Sequence, residues 1–245
     1  KDGLRVITGG SLVIDTTEMT IPKLLKTKGY KTGIVGKWHL GLGSGDGVTG
    51  SGIIDYNSTI SPGPSQVGFD YSYIMADTQD RVPTVYIENG DVVNLDINDP
   101  IEVNFFHQNK NDDYGLPTGL KNPELTTMKW HHGHNGSIVN GVPRIGYMKG
   151  GNDALWSDID MSDHFLEKAK EYINRNKKNP FFLFYTLQQP HVPRTPHPRF
   201  KGLSGMGPRG DAIVEADWSI GELYKTLESE NLLHNTLIIF SSDNG

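Results

Sequence analysis

Residues 161–187 read MSDHFLEKAKEYINRNKKNPFFLFYTL, and this stretch decides the fold class. Phe165, Leu166, Ala169, Tyr172 and Ile173 recur at helical spacing, which predicts a helix over Met161–Asn176. Asn179-Pro180 ends the connection. Phe181–Leu187 then runs apolar apart from Thr186, the pattern of a strand covered on both faces. Beyond it, Gln189–Gly210 is a loop with prolines at 190, 193, 196, 198 and 208. Asp211–Glu228 reads as a second helix, with Ile213, Ile220, Tyr224 and Leu227 on one face. Leu237–Phe240 reads as another buried strand. Helix, strand, helix, strand in succession implies an α/β fold: a mostly parallel central sheet with helices on both faces.

Upstream, Thr20 is placed to cap a short helix through Leu24 and Leu25, with Pro22 in its first turn and Gly29 where it stops. Lys31–His39 follows as a strand that buries Ile34 and Val35, and Gly41–Gly52 is a glycine-rich loop. Within Val82–Asn94, Asn89-Gly90 between two β-branched runs predicts a hairpin. Both ends read as interrupted. The first residue is Lys1, and the last apolar run passes straight into Ser241-Ser242-Asp243-Asn244-Gly245. An exposed core strand would leave backbone groups unpaired, so the expectation is an internal piece of a longer protein.

The 245 residues carry a formal net charge of −6, with 21% charged and 36% hydrophobic residues. That balance argues against a nucleic-acid partner, which needs a basic face, and against a disordered chain. No apolar run approaches a membrane span. The absence of cysteine excludes disulfides, thiolate metal sites and a cysteine nucleophile within these residues.

In open α/β sheets ligands bind beyond the carboxyl ends of the strands. Three predicted strands end in polar groups: Gly36-Lys37-Trp38-His39, Gln188-Gln189-Pro190-His191 and Asp243-Asn244. Brought to one edge, they offer a cation, two imidazoles and two oxygen donors, a set suited to an anionic substrate and a hard cation. Gly41-Leu42-Gly43-Ser44-Gly45 lacks the Lys-Ser/Thr and the helix of a phosphate loop. His131-His132-Gly133-His134 lacks the helical spacing of a zinc site, and reads as a surface or substrate-facing loop.

These residues carry a specific resemblance. Gly29-Tyr30-Lys31-Thr32 with Gly36-Lys37-Trp38-His39-Leu40-Gly41 closely resembles a signature of the type I, formylglycine-dependent sulfatases. Pro180–Leu183 with Gln189-Pro190-His191-Val192-Pro193, and Asp217–Gly221 with Asn235–Gly245, resemble the two blocks that follow it. The middle section resembles bacterial arylsulfatase-like enzymes acting on sulfated glycans. The resemblance implies an alkaline-phosphatase-like fold, incomplete in this chain, and hydrolysis of a sulfate ester in a small molecule or glycan.

It also implies the roles. A formylglycine made from Cys or Ser attacks sulfur, while Ca2+ and cations stabilise the sulfate oxygens. Lys37 would bind the sulfate, His39 would contact the formylglycine, His191 would protonate the leaving alcohol, and Asp243 and Asn244 would bind calcium. Arg81, His132, His134 and Arg194 are the candidates for binding the substrate. The nucleophile motif is in none of these residues, so residues 1–245 are expected to be the central part of the catalytic domain. The missing parts are the N-terminal nucleophile and metal segment and the C-terminal part. A phosphate or phosphonate ester hydrolase of the same fold, or a non-catalytic glycan-binding relative, remain alternatives. Export to the periplasm or beyond the cell is implied by the resemblance alone.

Overall fold

The computed structural model describes residues 9–44, 54–105, 117–128 and 133–242. Its centre is a five-stranded sheet. In chain order the strands are β1 (Lys31–Lys37), β2 (Tyr71–Met75), β3 (Tyr86–Glu88), β4 (Asp91–Val92), β5 (Glu102–Asn104), β6 (Ile138–Val139), β7 (Val142–Pro143), β8 (Tyr147–Lys149) and β9 (Phe181–Thr186). The central sheet has the order β4-β3-β2-β1-β9, while β5–β8 and β6–β7 form two-stranded ribbons. The helices are α1 (Ile21–Lys26), α2 (Pro64–Val67), α3 (Met161–Asn176) and α4 (Gly207–Ser229).

β1 lies parallel to both β2 and β9, with Gly36 opposite Ile74 on one side and Thr186 on the other. The expected mostly parallel sheet is in fact mixed. The Asn89-Gly90 turn returns β4 on β3, and β3 docks antiparallel to β2. Both turn residues have positive φ, 52° and 101°, the geometry that favours Asn-Gly in a two-residue hairpin.

Successive strand residues point to opposite faces, and this divides the core in two. Ile34, Ile74 and Ile87 pack with Val67 and Phe69 on the α1–α2 side. Val35, Tyr73, Met75 and Tyr86 pack against Met161, Phe165, Ala169 and Tyr172 of α3 on the other. Gly33 lets α3 approach closely, because a Cβ there would sit 2.4 Å from the Tyr172 ring.

Three sequence expectations need correction. β9 is not covered on both faces: its residues are half-buried and Phe184 is 48% exposed. Leu237–Phe240 forms no strand, and its four side chains are 49–85% exposed. The cause is shared. Burial of an apolar strand comes from neighbours, and no described strand lies beyond the free edge of β9. Third, α4 buries Asp211, Ala212, Glu215, Ser219 and Leu227, while Ile213 and Tyr224 face outward. The helix also starts earlier than expected, at Gly207, with Pro208 in its first turn, where its fixed φ and missing N–H are harmless.

Candidate active site

β1 and β9 run parallel, so their carboxyl ends open at the same edge. The turn after β1 is built by its glycines. At Gly36 (φ +120°) a Cβ would fall 1.9 Å from the Thr186 carbonyl oxygen, and at Gly41 (φ +75°) 2.0 Å from the Ser11 carbonyl oxygen. Only glycine permits both approaches. Trp38 is buried and donates its indole N–H to the Gly41 carbonyl (2.6 Å). His39 takes a left-handed conformation (φ 49°) while its N–H still reaches the Ala76 carbonyl (3.0 Å). A non-glycine residue held there is strained, and such strain clusters at functional sites.

The loop after β2 supplies the centre of the cluster. Asp80 is buried, and its carboxylate accepts from His134 Nε2 (2.7 Å), from an Arg81 guanidinium N–H (3.0 Å) and from the Thr78 hydroxyl. His191 Nδ1 lies 3.8 Å from the same carboxylate and donates to the Val192 carbonyl at 2.7 Å. Burial alone would push the Asp80 carboxyl up. The Arg81 charge, the Thr78 and His134 hydrogen bonds and the His191 ring together hold it below its usual range.

His39 joins the same group. Burial pulls its imidazolium down to about 4, the nearby Arg81 and Lys37 cations and the His191 ring act in the same direction, and Asp80 opposes them. Its ring is therefore neutral at ordinary pH.

Asp80 and Arg81 are held from behind. Ile145 N–H donates to the Asp80 carbonyl (2.8 Å), and Val82 N–H to the Ile145 carbonyl (3.2 Å). Arg144, fully buried, forks onto Asp158 and also donates to the carbonyls of Gln79 and Val139. A guanidinium suits such bidentate, buried pairing. Gln79 Nε2 completes the frame by donating to Asp158 (2.9 Å) and to the Thr195 hydroxyl (2.9 Å).

The structure thus gathers Arg81, His134 and His191 around Asp80, with His39 near enough to feel the charges of Arg81, Lys37 and Asp80. Arg194 shares a small polar cavity with His191, Gln79, Asp158, Gln189 and Glu215. Its Nε donates to the Pro190 carbonyl (3.1 Å). His132, Asp243, Asn244 and most of the Gly41–Gly52 loop lie outside the described residues. Among the described residues no group of three or more His, Asp or Glu is arranged to hold a metal ion. No helix among them is long and apolar enough to cross a membrane.

Sequence reading missed Asp80, Arg144 and Asp158. Their signal is burial of charge, which appears only once residues far apart in the chain meet.

Comparison with known proteins bears on this arrangement. A Bacteroides thetaiotaomicron protein named N-acetylgalactosamine-6-O-sulfatase is 52% identical over 234 residues, 96% of this chain and 44% of that protein. The rat steryl-sulfatase is 26% identical over 270 residues, 99% of this chain and 42% of that protein. The chain therefore spans under half the length of the curated relatives it matches. A solved structure described under glycosaminoglycan metabolism by Bacteroides thetaiotaomicron superposes with a TM-score of 0.88 at 49% identity, covering 96% of this chain and 47% of that one. The PsFucS1 sulfatase of a Pseudoalteromonas species shares the fold at 20% identity, with a TM-score of 0.53 over 94% of this chain and 39% of that one. The family model described as Sulfatase matches residues 10–245. With that match covering nearly all its residues and the strand-end cluster in place, the chain belongs to the sulfatase family.

Proposed function

We propose that the whole protein is a sulfuric ester hydrolase acting on a sulfated carbohydrate, and that residues 1–245 are the central part of its catalytic domain. The observation that carries this reading is the meeting of Arg81, His134 and His191 on buried Asp80, beside the β1 end where His39 feels Arg81, Lys37 and Asp80. The name of the 52% identical relative makes a 6-O-sulfated N-acetylgalactosamine the first substrate to test. Action outside the cytoplasm, in the periplasm or beyond the cell, fits a glycan substrate.

Formylglycine and calcium supply the nucleophile and much of the charge neutralisation when present, and Asp243 and Asn244 are the oxygen donors of this chain that would hold the ion. The remaining work falls to residues described above. Lys37 binds a sulfate oxygen through its ammonium group. His39, neutral at working pH, accepts a proton. His191 is fixed by the bond from Nδ1 to the Val192 carbonyl, so Nε2 is the nitrogen that hands a proton to the departing sugar oxygen. Asp80 stabilises the charged ring and holds Arg81 and His134 in place to bind the sugar, with Arg194 and His132 nearby in sequence to the two loops.

The test is hydrolysis by the full-length protein of N-acetylgalactosamine 6-sulfate against the matching 6-phosphate. Release of sulfate at least about tenfold faster than phosphate is expected, with about a 100-fold fall in kcat for His191→Asn, a common size for a lost general acid. Preference for the phosphate, or binding of the sulfated sugar with no turnover, would refute the assignment.

A further inference from the structure

The loop that carries His191 is fastened by a buried carboxylate with no role so far. Glu215 lies on α4 and is 3% exposed. Its Oε2 accepts from Gln189 Nε2 (3.1 Å), and its Oε1 accepts from the His197 backbone N–H (3.0 Å). One side chain thus grips the loop two residues before His191 and six after it. Gln189 Nε2 also donates to the buried Ser162 hydroxyl in the first turn of α3, which accepts from Gln188 Nε2 as well (3.0 Å). The Gln189 amide is therefore pinned between two helices.

Its other end shows what the grip costs. Gln189 Oε1 is buried without a hydrogen-bond partner among the described residues, which is unfavourable. The amide turns its N–H group to Glu215 even so, because a buried carboxylate left unpaired costs more. Further ties on this loop include the Thr195 hydroxyl, which accepts from Gln79 Nε2 (2.9 Å), and the Arg199–Asp163 pair (2.6 Å), which is partly exposed and screened by water. Glu215 is the buried charged group that spans both sides of His191.

We propose that Glu215 is a positioning residue for His191, acting through Gln189 and the His197 backbone to hold the imidazole against Asp80. This rests on the reading of His191 as the acid that protonates the leaving oxygen. A proton donor displaced by about 1 Å can lose 100-fold in rate while binding is spared.

The test uses the full-length protein and N-acetylgalactosamine 6-sulfate. Glu215→Leu removes both acceptors and is expected to lower kcat about 100-fold with KM within about threefold, because Arg81 and His134 sit on other loops. Glu215→Gln keeps an oxygen for the His197 N–H. The Gln189 amide can then turn over, so that its orphaned oxygen meets the new amide, and kcat should stay within about tenfold of wild type. Equal losses in the two variants would mean that charge, not hydrogen bonding, matters, and would overturn the proposal. If Glu215→Leu does not fold, Gln189→Leu cuts the same clamp from the loop side and carries the same expected fall in kcat. A kcat within about twofold of wild type in the folded variant would overturn the inference. His191→Asn is assayed alongside. If it keeps wild-type kcat, or the wild type shows no turnover, the reading of His191 fails and this inference with it. If His191→Asn loses activity and the Glu215 variant does not, only the role of Glu215 fails.

Discussion

At the scale of single residues, half-buried His39 and buried Asp77 pull the pH dependence of stability in opposite directions. His39 has its folded value lowered from 6.5 to about 4, chiefly by burial. Between those values the unfolded chain binds more protons, so its contribution to stability grows as pH rises from about 4 to 6.5 and is lost on acidification through that window. Asp77 is raised from 3.8 to about 6, again chiefly by burial. Here the folded chain binds more protons, so its contribution is present below 3.8 and is lost as pH rises through 6. His39→Gln should therefore make the unfolding temperature of the whole protein fall less between pH 7 and pH 5 than in wild type. Asp77→Asn should make it fall more. An unchanged slope in both, measured by calorimetry at matched ionic strength, would refute the assignment. Lys37, His39 and His191 were candidates from sequence because each stands at or just past the end of a recognisable strand. Asp80 was not, since nothing in Asp77-Thr78-Gln79-Asp80-Arg81 distinguishes a buried carboxylate from a solvated turn.

At the scale of elements, the arrangement depends on how the loop after β2 is pinned to the β6–β7 ribbon. The pin is Arg144, which donates to the Gln79 carbonyl of that loop and pairs with Asp158, their side chains 0% and 3% exposed. Arg144→Met leaves Asp158 as an uncompensated buried charge and should cost about 3–5 kcal/mol, read by denaturant unfolding of the full-length protein. A loss under about 1 kcal/mol would show that another contact holds the loop. The helices illustrate the same division of information. α3 was predicted to the residue because its apolar stripe meets the sheet. α4 was oriented wrongly because its apolar stripe does not. It turns Glu215 and Ser219 inward instead, where Gln189 and Tyr185 give them partners, and hydropathy alone cannot foresee a satisfied polar interior.

At the scale of the whole molecule, the surface beyond β9 sets what these 245 residues can do by themselves. Phe184 stacks on Phe69 yet stands half open, and Leu237 and Phe240 are 85% and 76% exposed. Apolar groups of this size beside a free strand edge invite association. The 245-residue chain expressed alone should bind a hydrophobic dye and self-associate, and should neither bind calcium tightly nor turn over an aryl sulfate. The full-length protein should lose the dye signal. Turnover by the isolated chain, or a monodisperse monomer that ignores the dye, would contradict this. The sequence by itself determined the α/β class, the limits of α1, α3 and β9 to within a residue or so, the Asn89-Gly90 hairpin and the family. These follow from local periodicity, turn chemistry and short motifs, all of which act over a few residues. Tertiary structure alone decided the mixed sheet, the inward face of α4 and the meeting of Asp80, His134 and His191. Each of these depends on which distant groups become neighbours, because a charge can be buried only where its partners already stand.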